Sequence, residues 1–159
     1  MQVIGSGFTK ISAERLQSYK KHTGTSTNIE FTSIEKEEVP LLEKQEAIKI
    51  SYKFIVGYED REKAGDKKDE KKEKRVEPDA EVVFEGNLVL SAEKDEAKEI
   101  LKAWKKKDLP NSFKVPLFNV IIMRCTTQAL KLEEELSLPT HLPFPQLNVQ
   151  PQAQQQAGQ

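Results

Sequence analysis

The clearest periodic pattern in the chain runs from residue 48 to residue 58. Apolar or aromatic side chains occupy every second position there, with Lys49, Ser51 and Lys53 between the first of them. The apolar set is Ile48, Ile50, Tyr52, Phe54, Val56 and Tyr58. A period of two predicts a β-strand, and a single apolar face is typical of an antiparallel sheet with one solvated side.

Three more strands are predicted from shorter alternations. An edge strand lies within residues 1–19, and a second strand covers Thr27–Val39. A strand over Ala80–Ala92 carries Gly86 on its apolar face, which indicates a kink or bulge. The stretch from Lys20 to Ser26 has the composition of a loop.

Two helices are predicted after the strands. The segment Glu93–Lys107 is acidic at its start and basic at its end, as the helix dipole favours, and Ser91 is a candidate cap. A long helix opens at Asn111 or Ser112 and runs to about Leu136, with Pro116 tolerated only in its first turn. The predicted fold is therefore α+β, with a four-stranded antiparallel sheet and both helices packed on one face.

The long helix carries two apolar stripes. One stripe is predicted to pack on the sheet: Phe118, Ile122, Cys125, Ala129, Leu132 and Leu136. The other is predicted, together with one arginine, to form an oligomer interface: Leu117, Val120, Ile121 and Arg124. Leaving such a stripe in water forfeits several kcal/mol, at ~1.5–3 kcal/mol per large side chain. An open groove for a ligand is the alternative, and the two can coexist.

The segment from Leu136 to Val149 alternates large apolar residues with prolines that forbid a regular helix. One interpretation is a stiff loop laid over the core. The other is the wall of a groove for extended apolar peptides, which prolines would keep open at low entropic cost.

Composition narrows the class of protein. The chain has 159 residues, a net charge of −1 and 32% charged residues, so the basic excess that nucleic-acid binding requires is missing. Its longest apolar run, Val115–Met123, is far shorter than the ~20 residues that span a bilayer. No signal peptide is visible, and one cysteine forms no internal disulfide. We expect a cytoplasmic protein that neither binds nucleic acid nor inserts into membranes.

The organisation is a single domain over residues 1–149. Within it, residues 59–79 are predicted to form a charged, solvated hairpin loop, and the Gln-rich residues 150–159 to be disordered. His22 and His141 lack the spacing of metal ligands, and Cys125 on an apolar face is predicted to be a buried thiol. We therefore expect no metal, no cofactor and no enzymatic activity.

Several segments, in this order, resemble the SecB family of export chaperones, in particular its smaller archaeal and SecB-like members. They are Asn28-Ile29-Glu30-Phe31, Phe84-Glu85-Gly86-Asn87-Leu88-Val89-Leu90, a short helix ending Ile100-Leu101, Pro110-Asn111, Pro116-Leu117, and Leu142-Pro143-Phe144-Pro145-Gln146-Leu147-Asn148-Val149. The chain departs from the family in its spacing between Pro110-Asn111 and Pro116. It also lacks the family's final helix and the acidic residues that dock the SecA motor.

The resemblance implies a dimer of dimers that holds unfolded or precursor polypeptides without ATP, for export or against aggregation. A translocation component is a further implied partner. The candidate client contacts are Leu138, Leu142, Phe144 and Leu147, with Phe31 and Ile34 from the second strand. Two alternatives stay open: an adaptor or antitoxin-type protein for one folded partner, and a purely structural oligomeric scaffold.

Overall fold

The computed structural model describes residues 1–20, 23–40, 45–60 and 78–143. Four strands come first and two helices follow, as the sequence predicts. They are β1 (Gln2–Arg15), β2 (Thr23–Glu37), β3 (Glu46–Asp60), β4 (Ala80–Ala92), α1 (Lys94–Lys105) and α2 (Asn111–Glu135). The predicted α+β class is confirmed.

The strands form one antiparallel sheet in the order β1-β4-β3-β2. The central pair is regular, with Phe54 opposite Phe84 and Ile50 opposite Leu88, so the apolar sides of β3 and β4 coincide. Ile100 of α1 and Leu117 of α2 belong to the same buried cluster as these residues. Both helices therefore cover one face of the sheet.

Strand β2 begins earlier than its apolar pattern does. The predicted loop over residues 20–26 is wrong from Thr23 onward, where the chain already pairs with the end of β3. Thr23 and Thr25 are β-branched residues that favour strands, and their pairing partners at the end of β3 extend the ladder. The bounds of β4, by contrast, agree with the prediction.

Both edge strands are irregular, whereas the central pair is not. The register of β1 shifts twice against β4, and that of β2 shifts once against β3, between Phe31 and Ser33. Phe31 pairs with Tyr52 and Ile34 pairs with Ile50, so three residues of β2 advance while β3 advances two. Because a bulge adds one residue, Phe31 and Ile34 both face the helices.

Gly86 is required for space and not for a bulge. The predicted bulge lies in the partner strand and not in β4, since β1 advances two residues from Phe8 to Lys10 while β4 advances one from Gly86 to Glu85. A Cβ atom on Gly86 would lie 2.6 Å from the carbonyl oxygen of Gly7 and 2.6 Å from Oη of Tyr52. The missing side chain thus makes room for a buried phenol.

Helix α1 starts without the predicted cap. Ser91 lies inside β4, and Glu93 occupies the N-cap position without a side-chain hydrogen bond. The charges at its ends do follow the prediction: Asp95 and Glu96 stand in the first turn and Lys105 in the last. Charge at the helix ends therefore stabilises α1 in place of a capping side chain.

Helix α2 turns a different stripe to the sheet from the one predicted. Its buried residues recur at every fourth position: Phe113, Leu117, Ile121, Cys125, Ala129 and Glu133. Ile122, which was assigned to the sheet, is exposed, and Leu132 is only half-buried. The predicted and the observed sheet-facing stripes both contain Cys125 and Ala129, whose small side chains allow close approach. The sequence alone therefore does not decide how the helix is rotated about its axis. Pro116 lies in the second turn, one turn later than expected.

Both helices end in the same backbone motif. Lys107 after α1 and Ser137 after α2 have left-handed φ angles of 56° and 53°. The next N–H in each case bonds back to the helix, from Asp108 to Ala103 O at 3.0 Å and from Leu138 to Glu133 O at 2.8 Å. Glycine is favoured at this position, so a side chain there costs roughly 1 kcal/mol.

No helix in the described part of the chain is both long enough and apolar enough to cross a bilayer. Cys125 is fully buried under α2, as its sequence position predicts.

Replacing Gly86 by alanine tests the close approach of Tyr52. We expect a loss of about 1–3 kcal/mol in the free energy of unfolding, because the new Cβ overpacks backbone as well as side chain. Gly7→Ala is the matched control, since a Cβ there meets nothing within 4 Å. Urea denaturation of both variants measures the difference, and equal stability would contradict the steric account.

The buried thiol and phenol groups between α2 and the sheet predict a loss of stability at alkaline pH. Burial raises the pKa of the Cys125 thiol from 9.0 to about 11. It also raises the pKa of Tyr52 and Tyr58 above 10.0, and for Tyr58 the hydrogen bond to Glu133 adds to the rise. The folded state keeps these protons at a pH where the unfolded state has lost them. Each group therefore contributes its full stabilisation below its ordinary, unfolded-state pKa, and this contribution declines as the pH rises toward the raised pKa of the folded state.

The free energy of unfolding should therefore begin to fall near pH 9, the ordinary pKa of the thiol. The slope reaches up to about 1.4 kcal/mol per pH unit for each group. In Cys125→Ala the onset should move to about pH 10, where the phenols take over. Denaturation curves from pH 7 upward measure this, and an onset unchanged by Cys125→Ala would refute the assignment.

Candidate functional site

An apolar groove of about 550 Å³ opens on the helix-covered side of the described chain. Aromatic and leucine side chains form its apolar surface, and lysines stand among them. The lining residues are Phe31, Trp104, Lys105, Lys107, Leu109, Lys114 and Phe118. The groove lies where β2, the end of α1 and the start of α2 meet.

Each aromatic ring comes from a different element. Phe31 projects from β2 beside the bulge, Trp104 lies in the last turn of α1, and Phe118 flanks the buried stripe of α2. The rings of Phe31 and Phe118 are 4.8 Å apart at their centroids and tilted by 37°. Since aromatic pairs prefer such offset and tilted contacts, the two rings stabilise one another while staying half-buried.

The connection between α1 and α2 fixes the lysine side of the groove. Leu109 is buried and anchors the connection. The carbonyl of Pro110 accepts hydrogen bonds from the N–H groups of Phe113 at 3.0 Å and Lys114 at 3.1 Å. Together with the left-handed residue Lys107, these contacts set the backbone of both lysine-bearing segments.

The electrostatics of the groove are one-sided. None of its lining residues is acidic. Lys105, Lys107 and Lys114 have no ion-pair partner among the residues that the structure describes. The groove therefore combines an apolar surface with unneutralised positive charge.

Only part of the predicted client contact lies at this groove. Phe31 lines it, but Ile34 and Leu138 are buried in the core of their own chain, which corrects their assignment to client contact. Ile34 turns inward because of the bulge, and Leu138 because its N–H closes the end of α2. Leu142 is exposed. Phe144 and Leu147 lie outside the described residues.

Two of the residues predicted for the oligomer interface are likewise buried within their own chain. Leu117 and Ile121 pack against the sheet and are 1% and 0% exposed, so they offer no surface to a second copy. Val120 is half-buried, and the guanidinium of Arg124 donates a hydrogen bond to Oγ of Ser6 in β1. The outer face of α2 instead exposes Val115, Ile122 and Met123, the last by 75%.

Sequence reasoning missed a buried polar cluster at the end of α2. Glu133 is 0% exposed, and its Oε1 accepts a hydrogen bond from Oη of Tyr58 at 2.5 Å. The same oxygen lies 2.6 Å from Nδ1 of His141 and accepts the backbone N–H of His141 at 3.3 Å. Glu133 continues the four-residue spacing of the buried stripe, and this spacing was the available signal.

The cluster directs the chain after α2. Nε2 of His141 lies 3.5 Å from Oγ1 of Thr126, well before the end of the helix. The imidazole also meets the ring of Phe54 edge-on at 6.4 Å. The residues that follow α2 therefore turn back along it above β3, and Glu133 holds them there.

The described residues contain no cluster of three or more histidine, cysteine or carboxylate side chains that could hold a metal ion. Cys125 has no exposed surface, and burial raises its pKa to about 11, which disfavours the nucleophilic thiolate. What the geometry offers is binding at the groove.

Known proteins offer few matches. No protein-family model and no curated protein matches the chain. Among solved structures it is similar to the SecB-like chaperone Rv1957 of Mycobacterium tuberculosis, in complex with a ChAD peptide from the Rv1956 HigA1 antitoxin. The identity is 16%, with 92% of this chain and 90% of that chain covered, at a TM-score of 0.44.

Replacing Glu133 by alanine tests the buried cluster. We expect a loss of about 2–6 kcal/mol in the free energy of unfolding, because Tyr58 and His141 each keep a buried polar group without its partner, at ~1–3 kcal/mol apiece. Glu135→Ala, at an exposed position of the same helix, should change stability by less than about 0.5 kcal/mol. Thermal or urea unfolding compares them, and a similar loss in both variants would count against the cluster.

Proposed function

We propose that this protein is an ATP-independent holdase chaperone that binds unfolded or precursor polypeptides in the groove between β2, α1 and α2. The observation that carries the proposal is an open groove in which Phe31, Trp104 and Phe118 expose ring surface to incoming chain. Burying one large apolar side chain is worth about 1.5–3 kcal/mol. Such binding depends on apolar area and is only weakly selective for sequence.

The position of the groove beside β2 supports binding of extended chain. Within the described sheet, β2 pairs with β3 alone, so its other side presents backbone donors and acceptors. An extended segment can pair with such an edge while its alternate side chains enter neighbouring pockets. Backbone pairing adds affinity without regard to sequence, which is what a holdase for many clients needs.

We further propose that the protein assembles as a dimer of dimers, for which the exposed face with Val115, Ile122 and Met123 is the better candidate interface. A mass measured by light scattering tests this assembly. A role in export and a translocation component as partner rest on the sequence resemblance alone, and a cytoplasmic location rests on the composition of the chain.

Suppression of aggregation tests the holdase function. At stoichiometric ratio and without ATP, the protein should suppress the light scattering of a denatured model enzyme. Phe31→Thr and Phe118→Gln should reduce that suppression at least several-fold, because each removes a groove ring and keeps a residue suited to its strand or helix. Leu16→Ser is the matched control, since it removes an exposed leucine after β1 at the opposite edge of the sheet.

Unfolding curves of the variants separate loss of binding from loss of fold. Absence of suppression by the parent protein would overturn the holdase proposal. Saturable capture of one folded protein, with indifference to unfolded chains, would instead favour the adaptor. Equal loss in Leu16→Ser and the groove variants would remove the groove from the mechanism.

A further inference from the structure

We infer that the groove selects polypeptide segments in which large apolar side chains are flanked by carboxylates. This inference rests on the proposed function, because it names the class of segment that the same groove prefers. Its basis is the charge of the lining: three lysines, no acidic side chain, and no ion-pair partner for these lysines among the described residues.

The positive charge is local. The whole chain carries a net charge of −1, so the lysines around the groove do not reflect an overall basic excess. On the other side of α1 a second groove is lined by Glu96 and Glu99 with Ile100 and Phe113, it contains no lysine, and its Glu96 pairs with the N-terminal ammonium of Met1 at 3.4 Å. The lysines are therefore concentrated on one side of α1, and a guest at that opening meets uncompensated cations.

The geometry lets one segment satisfy both features. Side chains two positions apart in an extended segment point to the same side, so an apolar residue can enter the groove while the residues two positions before and after it lie at its margin. The lysines stand at that margin, since Lys105 and Lys107 are exposed and Lys114 is half-buried. Carboxylates on either side of an apolar anchor would meet them there.

A substitution at Lys107 can change the charge of the groove without lowering the stability of the fold. It holds the left-handed position at the end of α1, where glycine is favoured, so Lys107→Gly should relieve strain while removing a cation. Ser137 holds the equivalent position after α2, away from the groove lining. Ser137→Gly is therefore a matched control that relieves the same kind of strain without changing the charge.

Fluorescent peptides with one shared apolar core test the preference. The core is flanked by glutamates in one peptide, by glutamines in a second and by lysines in a third, and binding to the full-length protein is followed by anisotropy. We expect the glutamate peptide to bind about tenfold more tightly than the lysine peptide at low salt. The ratio should fall toward one at about 0.5 M salt, because exposed charges are then screened within a few ångströms.

The variants locate the preference. Both glycine variants should melt at higher temperature than the parent. Lys107→Gly alone should reduce the glutamate-to-lysine ratio, by about threefold, which is the size of effect that one exposed ion pair has. Lys105→Gln combined with Lys114→Gln should reduce the ratio further.

The outcomes distinguish this inference from the proposed function. Equal binding of all three peptides at low salt overturns the inference and leaves the holdase proposal standing. Binding of none of them overturns both. Preference for the lysine peptide, a ratio unchanged in the lysine variants, or tighter binding of a single-stranded oligonucleotide than of the glutamate peptide would each overturn the inference.

Discussion

Contact between one stripe of α2 and the central strands holds the arrangement together. The helices cover one face of the sheet, and α2 covers its middle with side chains at every fourth position, from Phe113 through Ile121 to Ala129. Because Cys125 and Ala129 are small, the helix lies close to β3 and β4. At its far end the same stripe meets Tyr58 with a carboxylate, so the rotation of the helix is fixed by packing along its length and by hydrogen bonds at its end.

The groove is a consequence of that central position. With α2 over the middle strands, the outer part of the helix-covered face beside β2 is left to α1 and to the turn that joins the helices. Phe31 reaches this uncovered strip because its regular pairing with Tyr52 turns it to the helix-covered side, and Phe118 lies on the flank of α2 and not in its buried stripe. The opening therefore arises from helix placement, strand register and a short connection together.

The sequence predicted the features that local periodicity determines. The central strands were evident, because a strict alternation leaves one choice of face, as from Ile48 to Tyr58. The rotation of α2 was not, because two apolar stripes compete and only contact with the sheet decides between them. Of the groove, Phe31 was anticipated. Phe118 is predicted only to pack on the sheet, and the sequence does not predict that Trp104 meets Phe31 and Phe118, because this meeting depends on three elements that are distant in sequence.

The register shifts in the edge strands affect how strongly the protein aggregates at high concentration. An exposed β-edge is a template on which further copies can stack, and bulges are one way in which natural sheets prevent this. A further strand pairing with β2 would lose the regular register beyond Phe31, where the bulge lies. The register of β1 is interrupted at two positions. Each edge thus offers no continuous track for fibre growth.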